Sequence, residues 1–174
     1  MMQCMAEDLT VLEATPITRE AFAPFGVLIA CPGAGESREV NEGTAERWDD
    51  QARCDNHRPG AKLNVATFQA RPRSLPFEVV TLEKHPFSTQ IFVPLHAARY
   101  VVVVAEGKDA PGPLHAFVVS GSMGIAYGPD VWHHTLLVLD SPASFACFVW
   151  EDGTREDCHV VELEEAARRT LCVG

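Results

Sequence analysis

The sequence predicts an all-β protein, an antiparallel jelly-roll barrel with short helices at its margins. Three observations carry that prediction. From residue 62 onward, short β-branched or aromatic runs recur, each closed off by Pro, Gly, Asp or Ser. Seven or more such runs follow one another at spacings of about ten residues, the rhythm of a sandwich or barrel. No helical periodicity separates them, which disfavours a sheet built from strand–helix–strand units.

Taken in order, the chain first offers a short helix in "TREAFAPFG": Thr18 is the N-cap, Phe22 and Phe25 share a side, and Gly26 is the stop. Residues 31–60 are rich in Gly, Pro and charge and include "NEGTAERWDDQARCDNHRPG", too long for an ordinary turn, so this segment is either functional or mobile. Within it, Glu46, Asp49 and Asp50 read as a solvated loop face. The strand runs are "KLNVATF", "FEVVTLEKH", "STQIFVPL", "RYVVVVAE", "HAFVVS", "HTLLVLD" and "SFACFVW". The tail "ELEEAARRT" reads as a second short helix. There is no repeat of fixed period and no low-complexity tract.

At 174 residues the chain suits one well-cored domain spanning 1–174, since two halves would each be small. A hydrophobic fraction of 47% against 22% charged residues is globular in character, and no apolar stretch approaches the ~18 residues of a membrane span. The start "MMQCMAEDLT" carries acidic residues where a secretory signal would be basic and then apolar, so a cytoplasmic protein is expected. Six cysteines (Cys4, Cys31, Cys54, Cys147, Cys158, Cys172) are scattered without a C-x-x-C pair, which argues for thiols rather than a zinc knuckle or disulfide framework. A net charge of −10 repels phosphate backbones and anionic membranes. Nucleic acid and membrane are thereby disfavoured as partners, and a small molecule or another protein remains.

Two polar clusters interrupt the apolar runs. In "LEKHPFSTQIFVPLH", Glu83 and His85 lie two apart and therefore share a face of an extended chain, while Gln90 follows a bend at Pro86 to Ser88. Buried polar groups are costly unless used or satisfied. In "GSMGIAYGPDVWHHTLLVL", a Gly- and Pro-rich turn delivers Trp132, His133 and His134 to a strand start. Adjacent strand residues face opposite sides, so one of the two histidines is expected to point inward. Neutral imidazole is the commonest metal ligand and the usual acid–base group near pH 7.

These clusters resemble the two motifs of cupin barrels, H-x-H-x(3,4)-E and P-x-G-x-x-H. Glu83, His85 and Gln90 have the spacing of the first, with Glu and Gln substituted at its ends; Pro129 and His134 have that of the second, with Val131 in place of Gly. More closely, "NEGTAER", "LEKHPFSTQIFVPL", "YVVVVA" and "YGPDVWHH" resemble the signature stretches of the ureidoglycolate lyase family, over residues 8 to 163. The resemblance implies a cupin-type fold, cleavage of ureidoglycolate to glyoxylate and urea in allantoin (purine) catabolism, a homodimer, and nickel dependence. Two departures stand out. "QARP" puts Gln69 where the family typically has arginine, with Arg71 two places on, and "VWEDGTREDC" puts Trp150 and Glu151 near the family's Asp-Arg pair and Asp157 in place of Asn.

On this reading His85 and His134 bind a divalent metal, with Glu83 and Gln90 as further ligands. A mixed N/O set suits Ni, Zn, Fe or Mn without choosing among them. Without a metal, His85 or His134 is the base and Gln90 its orienting partner. Arg47 is the first candidate for the substrate carboxylate, because guanidinium binds carboxylate bidentately, with Lys62 and Arg71 in reserve. Tyr127 and Trp132 wall the pocket. His57, His96, His115 and His159 fall outside both motifs and are assigned to surface or structure. The alternatives are a cupin paralogue acting on another small carboxylate, a metal-dependent oxygenase, and a non-catalytic small-molecule-binding cupin.

Overall fold

The computed structural model describes residues 10–174. In chain order its strands are β1 (Val11–Pro16), β2 (Gly26–Ile29), β3 (Arg38–Val40), β4 (Ala45–Arg47), β5 (Lys62–Ala70), β6 (Phe77–Val79), β7 (Thr81–Lys84) and β8 (Gln90–His96). There follow β9 (Arg99–Ala105), β10 (Leu114–Ser120), β11 (Gly124–Tyr127), β12 (Trp132–His133), β13 (Leu137–Leu139), β14 (Ala143–Glu151), β15 (His159–Glu162) and β16 (Arg169–Val173). One sheet runs β15-β7-β12-β9-β10-β1-β16-β6, with β13 also on β9; the other runs β2-β11-β8-β14-β5. The two curl around a shared interior as the cupin-type jelly roll expected from the sequence. Nearly all pairings are antiparallel, but β1 runs parallel to both β10 and β16. No helix among the described residues is long and apolar enough to cross a membrane.

Alternation builds the interior. Along β14, Ala143, Phe145, Cys147 and Val149 are buried while the residues between them are only partly so. The barrel core gathers these with Phe22, Phe92, Tyr100, Phe117 and Ile125. Each buried valine, isoleucine or phenylalanine among them contributes about 1.5–3 kcal/mol relative to exposure. Strand β9 breaks the alternation, since every residue from Tyr100 to Ala105 is buried. Tyr100, Val102 and Val104 enter the barrel core, whereas Val101, Val103 and Ala105 join a second core outside it with Leu12, Val79, Trp132 and Leu171. A run of valines without polar interruption is the signature of a strand covered on both faces.

The second core accounts for the largest difference from the sequence reading. The tail "ELEEAARRT" contains good helix formers, yet forms a single 3-10 turn at Glu165–Ala167 and then β16. So short a helix is marginal alone, and burying Leu171 between β1 and β6 stabilises the strand instead. The N-terminal helix does form over Arg19–Phe22, with the Thr18 hydroxyl accepting from the Ala21 amide at 3.1 Å. It ends before Pro24, which cannot continue it, so Gly26 opens β2 rather than stopping the helix.

The segment 31–60 is pinned. It carries the β3–β4 hairpin and then crosses the turn between β7 and β8. There the His57 amide donates to the Phe87 carbonyl (2.8 Å), and Thr89 and Asp55 exchange two hydrogen bonds (both 3.2 Å).

Candidate active site and metal centre

Register places the polar residues. Glu83 on β7 lies directly opposite His133 on β12, and residues paired across strands point to the same face. His85 follows Glu83 by two and shares its side, as the sequence spacing predicts. Glu83, His85 and His133 consequently bring one ligand atom each within 4.8 Å of one another, and both histidines are buried. His133 is stacked between two rings: His85 at 5.7 Å and Tyr127 at 4.0 Å between centroids.

Each of three imidazoles ties Nδ1 to a backbone carbonyl: His85 to Asp157 (2.8 Å), His133 to Val131 (2.9 Å) and His134 to Thr135 (2.8 Å). A carbonyl only accepts, so Nδ1 carries the hydrogen and Nε2 presents a lone pair. The Nε2 atoms of His85 and His133 are buried without a protein partner. Such orphans need an explanation, and an outer carbonyl orienting an imidazole toward a cation is one.

The electrostatics point the same way. Burial alone would raise the Glu83 carboxyl, but His133 beside it (Nε2 to Oε1, 3.6 Å), with His85 and His134, outweighs burial and holds it below its usual value. At 3.6 Å that pair is a close electrostatic contact rather than a formed hydrogen bond. Burial, reinforced by His133, lowers His85; burial, with Arg73, lowers His134. Near neutral pH the site therefore holds an ionised carboxylate beside His85 and His134 as neutral imidazoles. That donor set fits a borderline divalent ion.

Glu83 and His133 of the ligand-distance group open on a cavity of about 120 Å³, with His85 behind them. Glu83, Gln90, His133 and His134 form its polar end, and Phe68, Phe92 and Leu136 are part of its apolar wall. A cavity of roughly 150 Å³ holds a benzene-sized molecule, so this one suits a small metabolite. Gln90 is buried with its Oε1 unpartnered, and so is the Tyr127 hydroxyl.

Several expected residues sit elsewhere. His134 lines the cavity but is not in the ligand-distance group, where His133 takes the place read for it; Gln90 likewise lies at the cavity rather than in that group. Both adjacent histidines are buried, against the expectation of one inward side chain, because β12 ends at His133 and alternation lapses there. Arg47 is exposed on the β3–β4 hairpin and paired with Asp49. Lys62 stands opposite Glu151 at one end of β5, and Arg71 lies beyond the other. None of the three lines the cavity. Trp132 belongs to the second core, where its indole donates to the Lys108 carbonyl at 3.0 Å and carries Lys84 above its ring. Tyr127 remains at the site, stacked on His133.

Sequence reasoning passed over His133 and Arg73. Parity in "VWHH" separates Trp132 from His133, but which of the two faces the site is set by the pairing of His133 with Glu83. Arg73 carried no local signal. Its guanidinium lies 5.0 Å above Phe77, which packs edge-on to His134 at 5.4 Å.

A curled β-barrel enclosing a carboxylate–imidazole cluster at the end of a small cavity defines a cupin-type enzyme. The sequence model described as "Ureidoglycolate lyase" matches residues 9–169, and the chain belongs to that family, whose members are lyases. A ureidoglycolate lyase from Burkholderia cepacia is 40% identical over 156 residues, covering 88% of this chain and 87% of that protein. One from Brucella anthropi is 41% identical over 131 residues, covering 75% and 77%. Among solved structures, a dTDP sugar isomerase from Desulfovibrio desulfuricans G20 is similar with a TM-score of 0.47 at 16% identity, covering 75% of this chain and 85% of that one. A dTDP-4-dehydrorhamnose 3,5-epimerase from Elizabethkingia anophelis NUHP1 gives 0.45 at 12%, covering 85% and 92%.

Proposed function

We propose that this site cleaves ureidoglycolate to glyoxylate and urea, as a late step of allantoin catabolism. The observation that carries the reading is the convergence of Glu83, His133 and His134 on one small cavity, with His85 at ligand distance from the first two, in a chain of the ureidoglycolate lyase family. Ureidoglycolate is a carbinolamine: its C–N bond breaks when the hydroxyl loses a proton and the nitrogen gains one. His134, neutral and with Nε2 free of its Thr135 tie, takes the hydroxyl proton and returns it to the departing urea nitrogen, so no net proton is consumed.

Glu83, His85 and His133 would hold a divalent ion, nickel by family resemblance. When bound, it would lower the hydroxyl pKa and polarise the carboxylate and hydroxyl oxygens. Gln90 orients the substrate by hydrogen bonding at the polar end, and Phe68 and Phe92 exclude water. Arg73, whose charge reaches His134, helps hold that imidazole in its neutral, proton-accepting form. The same reading makes the protein a cytoplasmic homodimer; the free thiols of Cys31, Cys54, Cys147 and Cys158 support a reducing compartment.

The test is glyoxylate release from racemic ureidoglycolate by the purified protein, with and without added nickel. Acceleration over the spontaneous rate is expected; none under either condition discards the activity.

A further inference from the structure

One short segment touches two of the three ligand-distance side chains. The Asp157 carbonyl accepts from His85 Nδ1 at 2.8 Å, and the next residue, Cys158, places its thiol 3.9 Å from Glu83 Oε2. The position of residues 157–158 thus sets the orientation of both His85 and Glu83.

The Asp157 side chain folds this segment back on itself. Its carboxylate accepts from the Asp152 amide (3.1 and 3.2 Å) and the Gly153 amide (2.7 Å), closing a turn over residues 152–157. The turn is then gripped from 99 residues upstream. Arg58 Nη1 bonds Asp157 Oδ1 at 2.8 Å, pairs with Asp152 Oδ1 and reaches the Thr154 hydroxyl at 3.2 Å. Its guanidinium lies 4.3 Å above the ring of Phe87, two residues past His85. Both Arg58 and Asp157 have side chains mostly withdrawn from solvent, at 15% and 13% exposure, so this pair is not the screened surface kind.

We infer that Arg58 is a positioning residue for this reaction centre, clamping the 152–158 turn so that Asp157 fixes the His85 tautomer and Cys158 stays against Glu83. The inference rests on the reading of Glu83, His85 and His133 as that centre. It also explains why the 31–60 segment is pinned, since the far end of that segment delivers the arginine. Outer-shell groups that orient an imidazole typically account for 10–100-fold in metal affinity or activity.

The test uses Arg58→Met, which keeps an apolar stem against Phe87 without the charge, Arg58→Lys, which restores charge, and Asp157→Asn, which keeps the backbone carbonyl but weakens the grip. Long-range 1H–15N spectra of the full chain report the His85 tautomer. The wild type is expected to hold Nδ1–H alone, Arg58→Met and Asp157→Asn to show a mixture, and Arg58→Lys to recover much of the wild-type pattern. Cobalt(II), titrated by visible absorption, should bind the Met variant about 10–100-fold more weakly. A wild-type His85 spectrum and wild-type cobalt affinity in both Arg58→Met and Asp157→Asn overturn the inference. Glyoxylate release by the wild type is scored separately. An inactive wild type whose His85 tautomer still depends on Arg58 sinks the chemistry and leaves the clamp standing, whereas an active one indifferent to Arg58 does the reverse.

Discussion

His133 and His134 are neighbours in sequence with the same tautomer and nearly the same burial, yet their surroundings assign them different work. His133 is at ligand distance from Glu83 and His85, while His134 faces the cavity from outside that group. His133→Ala should therefore lose bound nickel or cobalt together with rate. His134→Ala should keep the ion and lose about 10²–10⁴ in rate, the usual weight of a proton-transfer group. Metal content by elemental analysis alongside glyoxylate release checks the pair; equal metal loss in both would erase the distinction. Arg73 belongs at this scale too. Its guanidinium lies over Phe77, which packs edge-on to His134, and its charge adds to burial in lowering that imidazole's pKa, so Arg73→Ala should move the acid limb of the rate profile to higher pH. An acid limb of glyoxylate release left in place by Arg73→Ala would contradict that coupling.

Strands and turns decide which residues meet, and here the legibility of the sequence divides. Glu83 and His85 were readable as a same-face pair because period-two alternation is a local rule, and six of the seven strand runs stand where their β-branched composition put them, while "FEVVTLEKH" divides at Val80 into β6 and β7 with different partners. The choice of His133 over His134, and the placing of Trp132 on the far side of the sheet, depend on the β12–β7 register, which only the folded barrel specifies. The tail strand was unreadable for a related reason: the partner that buries Leu171 comes from the opposite end of the chain. Gly26 shows how tightly these pairings are set. It opens β2 at φ 157°, and a Cβ there would lie 1.9 Å from the Ala126 carbonyl oxygen on β11, beside Tyr127. Gly26→Ala must push the two strands apart and should cost about 2–3 kcal/mol, read as a lowered denaturant midpoint at unchanged slope. The 152–158 turn has its own pH signature. Hydrogen bonds from Thr154, with Arg58, lower Asp152 to about 2 from an ordinary value of 3.8. A depressed carboxyl stabilises the fold above its unfolded pKa and loses that contribution as pH falls toward its folded one. Wild-type stability should thus fall between pH 4 and 2 more steeply than that of Asp152→Asn; superimposable acid limbs would contradict this.

At the scale of the molecule, the two sheets are treated unequally. The long sheet is covered on both faces around β9, by the barrel core inside and the second core outside, whereas the outer face of the short sheet has no such cover. Across that face run Val27 of β2, Ile91 of β8, Phe148 of β14 and Val65 of β5, cross-strand neighbours by register, with Val27 and Val65 at 40% and 59% exposure. Its margin is β5, nine residues long, whose second edge has no partner among the described residues. An exposed apolar face ending in a long open edge invites pairing with another chain. A second copy meeting it across a two-fold axis would close the edge symmetrically. Phe68 points the other way from β5, against Phe92 and into the cavity, so one strand would carry the assembly face on one side and the cavity wall on the other. With a net charge of −10 on each chain, apolar burial has to overcome mutual repulsion, and a charge placed in the patch should tip the balance. If the chains pair this way, the wild type should sediment at twice 19.0 kDa and Val65→Glu, near the middle of β5, as a single chain, with stability falling as the partner is lost. A wild type and variant that both sediment at twice the chain mass place the contact on another face, and a wild type that sediments as one chain discards the pairing.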